Sequence, residues 1–269
     1  MKDLTEGLNE RELLAHLWTV CEQLLHTEDY KSAYAEWLAK LLGEKGSKSQ
    51  SILDTAAGVG FPSVQLVTDG FDSIWFADAD PDLLRSLQGS LNSEQRAGPV
   101  ICAMWQDLPN IVLTQFDTVL CLDASIAFMD SWGTSQMVEG PEPILGRVTE
   151  VLENFFRLTA PGGSFYVGLQ KNNNRTNTSR YVMEVGKARI GDAEAKATWD
   201  MRYDWEKRRK TWNNIVTFQG KEYRQTRHSY LFDKEELASL LLDAGFTSAQ
   251  EVATEDFFYE DVIVATKGS

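Results

Sequence analysis

The sequence predicts an α/β fold: a doubly wound, mostly parallel sheet of seven strands with helices on both faces, an N-terminal helical cap and an antiparallel β insertion. Three observations predict it. Short apolar runs alternate with helical stretches between residues 51 and 169, the pattern of βαβ units and a parallel sheet. The first of these runs ends in a glycine-rich turn, Asp54-Thr-Ala-Ala-Gly-Val-Gly60. From about Thr198 to Leu231 the rhythm changes to three longer alternating runs with tight turns, as antiparallel hairpins require.

Taken in order, residues 9 to 43 read as helical. Leu13, Leu14, Leu17, Val20, Cys21, Leu24 and Leu25 recur at spacings of three and four and form one apolar stripe. A second helix is expected from Lys31 to Leu42, with Tyr34, Trp37, Leu38 and Leu41 inward and Gly43 at its end. Strands follow at Ser51 to Asp54, Ser73 to Ala77, Val100 to Met104, Asp117 to Leu122 and Ser164 to Leu169. Helices are expected between them at Pro62 to Thr68, Asp82 to about Leu91 and about Ile144 to Leu158. The insertion holds runs at Thr198 to Trp205, Thr211 to Phe218 and Glu222 to Tyr230, with turns at Lys207-Arg-Arg209 and Gln219-Gly220. A helix from Lys234 to Ala244, ended by Gly245, and a strand from Phe257 to Thr266 complete the core. The expected organisation is a helical cap over 1–45, a Rossmann-like core over 46–170, a substrate-covering insertion over 171–232 and a closing unit over 233–269.

Composition narrows the function. With 269 residues, 43% of them apolar and 25% charged, the chain can bury a full core. Its 40 acidic side chains against 26 Lys and Arg give a formal charge of −14, a field that repels nucleic acid. The one basic run, Glu206-Lys-Arg-Arg-Lys210, reads as a solvated turn. Cys21, Cys102 and Cys121 lie far apart with no CxxC spacing, and those in apolar stretches read as small buried hydrophobes. That usage implies a reducing compartment with no disulfide framework and no metal site. The polar, acidic start does not read as a signal peptide, and no apolar run approaches the roughly 18 residues of a membrane span. A cytoplasmic protein acting on a small molecule, without nucleic-acid or membrane partners, is the expectation; the N-terminal helices suit either self-association or packing within one chain.

The glycine turn carries the chemistry. Glycine lets a strand turn sharply into a helix and lets backbone approach a bound ligand. A P-loop's G-K-[ST] ending is absent, and Ser63 stands where the dinucleotide pattern G-x-G-x-x-G needs a third glycine. By itself the turn leaves several nucleotide ligands, and a plain βα turn, open. Asp78, just past the second run, is placed to accept hydrogen bonds from ribose hydroxyls. After the third run, Trp105 offers a flat apolar face to an adenine ring.

This order, D-x-A-x-G-x-G, an acidic strand end, FD-x-V-x-C-L and then L-x-P-G-G, resembles that of the class I S-adenosylmethionine (SAM)-dependent methyltransferases over about residues 30 to 169. More narrowly, Ala33-Tyr-Ala-Glu-Trp-Leu-Ala-Lys-Leu-Leu42, Phe76-Ala-Asp-Ala-Asp-Pro-Asp-Leu-Leu84 and Ala103-Met-Trp105 are similar to segments of the glycine N-methyltransferase family and its bacterial small-molecule relatives. The resemblance implies SAM as cofactor and S-adenosylhomocysteine as product. Ala56, Gly58 and Gly60 would line its methionine part, Asp78 its ribose with Ala79 alongside, and Met104 and Trp105 its adenine. Leu122 and Asp123 would flank the sulfonium, and Trp18, Tyr30 and Tyr34 would close over the site.

The acceptor side departs from that family. Its G-N-S-F-A-H segment reads Asp123-Ala-Ser-Ile-Ala-Phe128 here, and the expected Arg after P-G-G is Gln170. A carboxylate-bearing acceptor loses its charge-assisted partners, with Lys171 or Arg175 as replacements. Asp123, at the carboxyl end of the fourth strand, favours a cationic or amine acceptor. Asp123 and Tyr203 are the candidates for work on the acceptor, with Ser125, Gln170, Lys171, Arg175 and Arg202 as substrate contacts. His228 reads as an ordinary strand residue. The expected activity is a small-molecule N-methyltransferase; an O-methyltransferase and a non-catalytic SAM or nucleotide sensor are the alternatives.

Overall fold

The computed structural model describes residues 24–91, 98–129, 141–171, 179–190, 193–218 and 220–269. Trp18, Cys21, Arg175 and most of the first expected helix lie outside them.

The first described helix, α1 (Glu28–Lys45), starts where the Thr27 side chain accepts a hydrogen bond from the Tyr30 N–H at 3.3 Å. Its spacing places Tyr34, Leu38 and Leu42 on the buried face. There follow β1 (Ile52–Asp54), α2 (Ser63–Thr68), β2 (Ile74–Asp78), α3 (Pro81–Ser90), β3 (Val100–Cys102), α4 (Leu108–Ile111), β4 (Phe116–Cys121), α5 (Pro141–Leu158) and β5 (Thr159–Gln170). Four strands come next, β6 (Arg180–Ile190), β7 (Ala193–Asp204), β8 (Arg209–Phe218) and β9 (Lys221–Tyr230). The chain then forms α6 (Lys234–Asp243), β10 (Ser248–Val252) and β11 (Glu260–Thr266).

Seven strands form the central sheet in the order β10-β11-β5-β4-β1-β2-β3. Strands β1 to β5 pair in parallel; β11 runs antiparallel to both β5 and β10. The predicted doubly wound sheet is therefore present. Central β1 is buried throughout, so Ile52-Leu-Asp54 reads as a continuous rather than alternating run. On one face, α5 contributes Val148, Val151, Leu152 and Phe155, all fully buried at helical spacing. Against the other face lie Tyr34, Leu38 and Leu42 of α1 with Leu66 and Leu87. Each such side chain removed from water contributes roughly 1.5–3 kcal/mol.

The winding reverses between β1 and β4, which are neighbours although the chain proceeds from β1 to β2. At such a reversal the connections leave on opposite faces and open a crevice at the strands' carboxyl ends.

The antiparallel insertion has four strands, in the order β6-β7-β8-β9, rather than three. Strand β6 hides from a period-two reading because its register against β7 shifts between Glu184 and Gly186, which reverses the inward phase partway along. Strand β10 is an edge strand of polar residues, Ser248-Ala-Gln-Glu-Val252. The buried face of the small sheet, with Trp199, Met201, Tyr203 and Trp212, packs on Ala127 and Phe128 of a short 3-10 turn, Ser125–Phe128.

Two further sequence expectations are corrected. Cys102 is exposed, because β3 lies at the edge of the sheet; Cys121, in central β4, is buried. The basic run is not simply a solvated turn. Arg208 makes a two-pronged ion pair with Glu236 at 2.5 and 2.7 Å, and Lys210 is buried with its ammonium over the rings of Trp212 and Tyr203. Burial holds that ammonium well below its usual pKa. Among the described residues, no helix is long and apolar enough to cross a membrane.

Candidate active site

A cleft of about 380 Å³ opens at the carboxyl ends of the strands, where the winding reverses. Thr55 to Val59, Phe61, Asp78, Ala79, Met104 and Trp105 line one part of it. His26, Asp123, Ser125, Phe128 and Met129 line another.

The glycine turn is built from below. Asp54, buried at the end of β1, accepts hydrogen bonds from the Ala56 N–H (3.1 Å) and the Ser63 hydroxyl (2.5 Å), tying the turn to the first residue of α2. Gly58 has φ +50° and open space where a side chain would stand, so its backbone is free to face a ligand. Gly60, at φ +115°, differs: a Cβ there would collide with Val64 and Leu87. Its smallness serves close packing on α2 and α3, and it is not on the cleft wall.

Asp78 spans two loops. Its Oδ2 accepts the Gly58 N–H at 2.9 Å and its Oδ1 the Asp80 N–H at 2.8 Å. Burial raises its pKa against these hydrogen bonds. Trp105 is fixed by its indole N–H, which donates to the Thr55 carbonyl at 2.6 Å, and by an edge contact with Phe155.

On the other side, Asp123 and Ala124 follow β4 with φ +59° and +51°. The Asp123 carboxylate accepts a hydrogen bond from the Tyr259 hydroxyl, and His26 Nε2 lies 3.3 Å from its Oδ1. The His26 ring is enclosed by Phe61 and Tyr30, at centroid distances of 4.9 and 5.1 Å.

Of the residues singled out in the sequence, Ala56, Gly58, Asp78, Ala79, Met104, Trp105, Asp123 and Ser125 all line this cleft. Tyr30, Tyr34 and Leu122 do not reach it; they are buried in the core beside it. Tyr203 faces the hydrophobic layer under the small sheet, and Arg202, one residue along the strand, is exposed on the opposite face. Gln170 is buried against Met201, with its Nε2 3.5 Å from the sulfur. Lys171 donates to the carbonyls of Glu255 and Asp256 and so tethers the loop that carries Tyr259. Sequence reasoning did not find His26 or Phe61 on the wall, nor Tyr259 and Glu260 behind it. The acidic pair Glu260-Asp261 before the apolar run Val262 to Ala265 is the signal that could have pointed to this strand end. Among the described residues, no group of three or more His, Cys, Asp or Glu is arranged to hold a metal ion. His228 is a strand residue paired with Thr211.

Two carboxyls below the cleft have raised pKa values. Burial pushes both Asp54 and Glu260 up to about 7. Carboxylates in an unfolded chain titrate near about 4, so the folded state holds these protons more tightly. Their contribution to stability is fully present below about pH 4 and is lost as pH rises towards 7. Thermal unfolding between pH 5 and 8 should therefore show wild type losing stability with pH relative to Asp54→Asn; parallel curves would contradict the assignment.

No family model matches the chain. Its sequence is similar to a glycine/sarcosine N-methyltransferase of Parasynechococcus marenigrum, 31% identical over 109 residues, which cover 40% of this chain and 37% of that protein. The match thus spans under half the length of the curated relative. In structure it is similar to a sugar N-methyltransferase of Streptoalloteichus sp., with a TM-score of 0.68 and 16% identity, covering 100% of this chain and 97% of that one. A SAM-bound amino pentose methyltransferase of Micromonospora echinaspora gives a TM-score of 0.66 at 15% identity, covering 87% and 90%. The fold is that of the class I SAM-dependent methyltransferases, and the similarity to a glycine/sarcosine N-methyltransferase bears out the resemblance carried by the sequence motifs.

Proposed function

We propose that this protein binds SAM in the cleft and transfers its methyl group to the nitrogen of a small amine. The observation that carries this reading is that one cleft is lined by the glycine turn, Asp78 and Trp105 together with Asp123. The wall suits SAM: open backbone at Gly58, a carboxylate for the ribose at Asp78, and apolar side chains for the adenine at Met104 and Trp105. The cofactor half of the cleft is the part legible in the family motifs, and SAM supplies a methyl group already activated on a sulfonium.

The chain's own contribution is placement. Asp123 attracts a cationic amine and fixes its nitrogen, which must lie about 3 Å from the methyl carbon with its lone pair aligned. An ammonium nitrogen has no lone pair to give, so a proton has to leave. His26, beside Asp123, is placed to take it, and the carboxylate then stabilises the imidazolium. Phe61 and Phe128 supply apolar surface that excludes water. Ala124 and Phe128 replace the polar residues by which the glycine-specific family grips its acceptor, which favours an amine without a carboxylate. Two structural neighbours are a sugar N-methyltransferase and an amino pentose methyltransferase, so amino sugars head the candidates.

Incubation with methyl-labelled SAM and a panel of amino sugars, alkylamines, glycine and sarcosine should label an amine. Transfer only to hydroxyl acceptors would make the protein an O-methyltransferase. Binding of SAM and its demethylated product alike, with no turnover on the panel or a metabolite extract, would make it a sensor.

A further inference from the structure

Glu260 lies at the start of β11, buried at 1% exposure, and carries no part of the cofactor half of the cleft. Its carboxylate is engaged from two other elements. The Tyr34 hydroxyl of α1 donates to Oε1. The backbone N–H groups of Asp123 and Ala124, after β4, donate to Oε1 and Oε2 at 3.2 and 2.8 Å. Strand β5 makes the room: a methyl group on Gly168 would occupy the space of the Glu260 carboxylate itself.

The turn so held is a costly one. Asp123 and Ala124 both adopt left-handed backbone, a conformation in which alanine is disfavoured and which persists only where the surroundings impose it. Glu260 imposes it by collecting both N–H groups on one carboxylate. That turn decides where the Asp123 side chain points.

We propose that Glu260 is the positioning residue of the acceptor site: its carboxylate holds the Asp123–Ala124 turn so that Asp123 faces the cleft, and it senses the charge bound there. The inference rests on the reading of this cleft as an amine site. The groups that face Glu260 are Tyr34 and Tyr30 from α1, Asp123 and the Cys121 thiol from β4 and its turn, and, around Asp123, His26 and Tyr259. Burial first, and the negative charge of Asp123 second, push Glu260 up to about 7, against the hydrogen bonds it accepts. A cation bound at Asp123 offsets that second contribution. Glu260 then ionises, the hydrogen bonds it already accepts from the turn become charge-assisted, and the proton it held passes to solvent.

Tetramethylammonium has no proton of its own to lose and is the probe of choice. Calorimetric titration into protein saturated with S-adenosylhomocysteine, at pH 7 in buffers of different ionisation enthalpy, should show a net release of protons on cation binding. With Glu260→Gln the release should vanish and the probe should bind at least about tenfold more weakly, while S-adenosylhomocysteine affinity stays within about twofold. The wild-type measurement stands even if the variant fails to fold. Absence of tetramethylammonium binding to wild type, binding without proton release, or unchanged release in Glu260→Gln overturns the assignment. Failure of wild type to bind S-adenosylhomocysteine instead overturns the reading of the cleft as a SAM site.

Discussion

Replacing Asp78 by alanine is expected to weaken SAM binding by about 1.5–3 kcal/mol, the worth of hydrogen bonds to an ionised group. Two losses combine. The ribose hydroxyls lose their acceptor, and the Gly58 N–H loses the contact that joins the glycine turn to the end of β2. Asp78→Asn separates them, because one amide oxygen can still accept from backbone while the charge is gone. Calorimetry on both variants measures each share. An affinity unchanged in Asp78→Ala would remove this residue from the cofactor site.

The second large effect is expected at Asp123. Asp123→Asn should lower kcat/KM for the amine at least about 100-fold, near 2.7 kcal/mol, with SAM affinity within about threefold. Asparagine tolerates left-handed backbone nearly as well as aspartate, so the turn at φ +59° survives the exchange. What is lost is the charge that attracts the cation and steadies His26. Steady-state kinetics at saturating SAM reads the effect directly. Equal kcat/KM in variant and wild type would place amine recognition elsewhere on the wall.

The residues behind these two experiments were legible to different degrees. Asp78 sits one residue past an apolar run, and its place at the cleft follows from chain order alone, because parallel strands deliver their carboxyl ends to one edge of the sheet. Asp123 was legible by the same logic, since it follows β4. Its partners were not. Glu260 stands 137 positions away from the Asp123 N–H it accepts, and Tyr259 lies 136 positions from the carboxylate it bonds. Nothing in the local spacing of either residue announces that contact.

Tyr203 and Gly60 lie off the cleft lining although the sequence pattern pointed to them. Tyr203 lies on an alternating aromatic strand expected to cover the cleft, yet with Trp212 it packs under the small sheet against Phe128, which stands between it and the cleft it lines. Gly60 matched a ligand-binding pattern, but the atoms it must avoid are the side chains of Val64 and Leu87.

The sequence by itself determined the alternation of strands and helices, the glycine turn, and the positions of Asp78, Met104 and Trp105 on one edge, because each follows within a few residues of a strand end. Only the tertiary structure decided which side chains surround Asp123, bringing His26 from before α1 and Glu260 from β11 to the turn after β4. Their meeting is set by the antiparallel register of β11 on β5 and by the packing of α1 on the sheet. Both are long-range choices, and a one-residue slip in that register would turn Glu260 to the other face of the sheet.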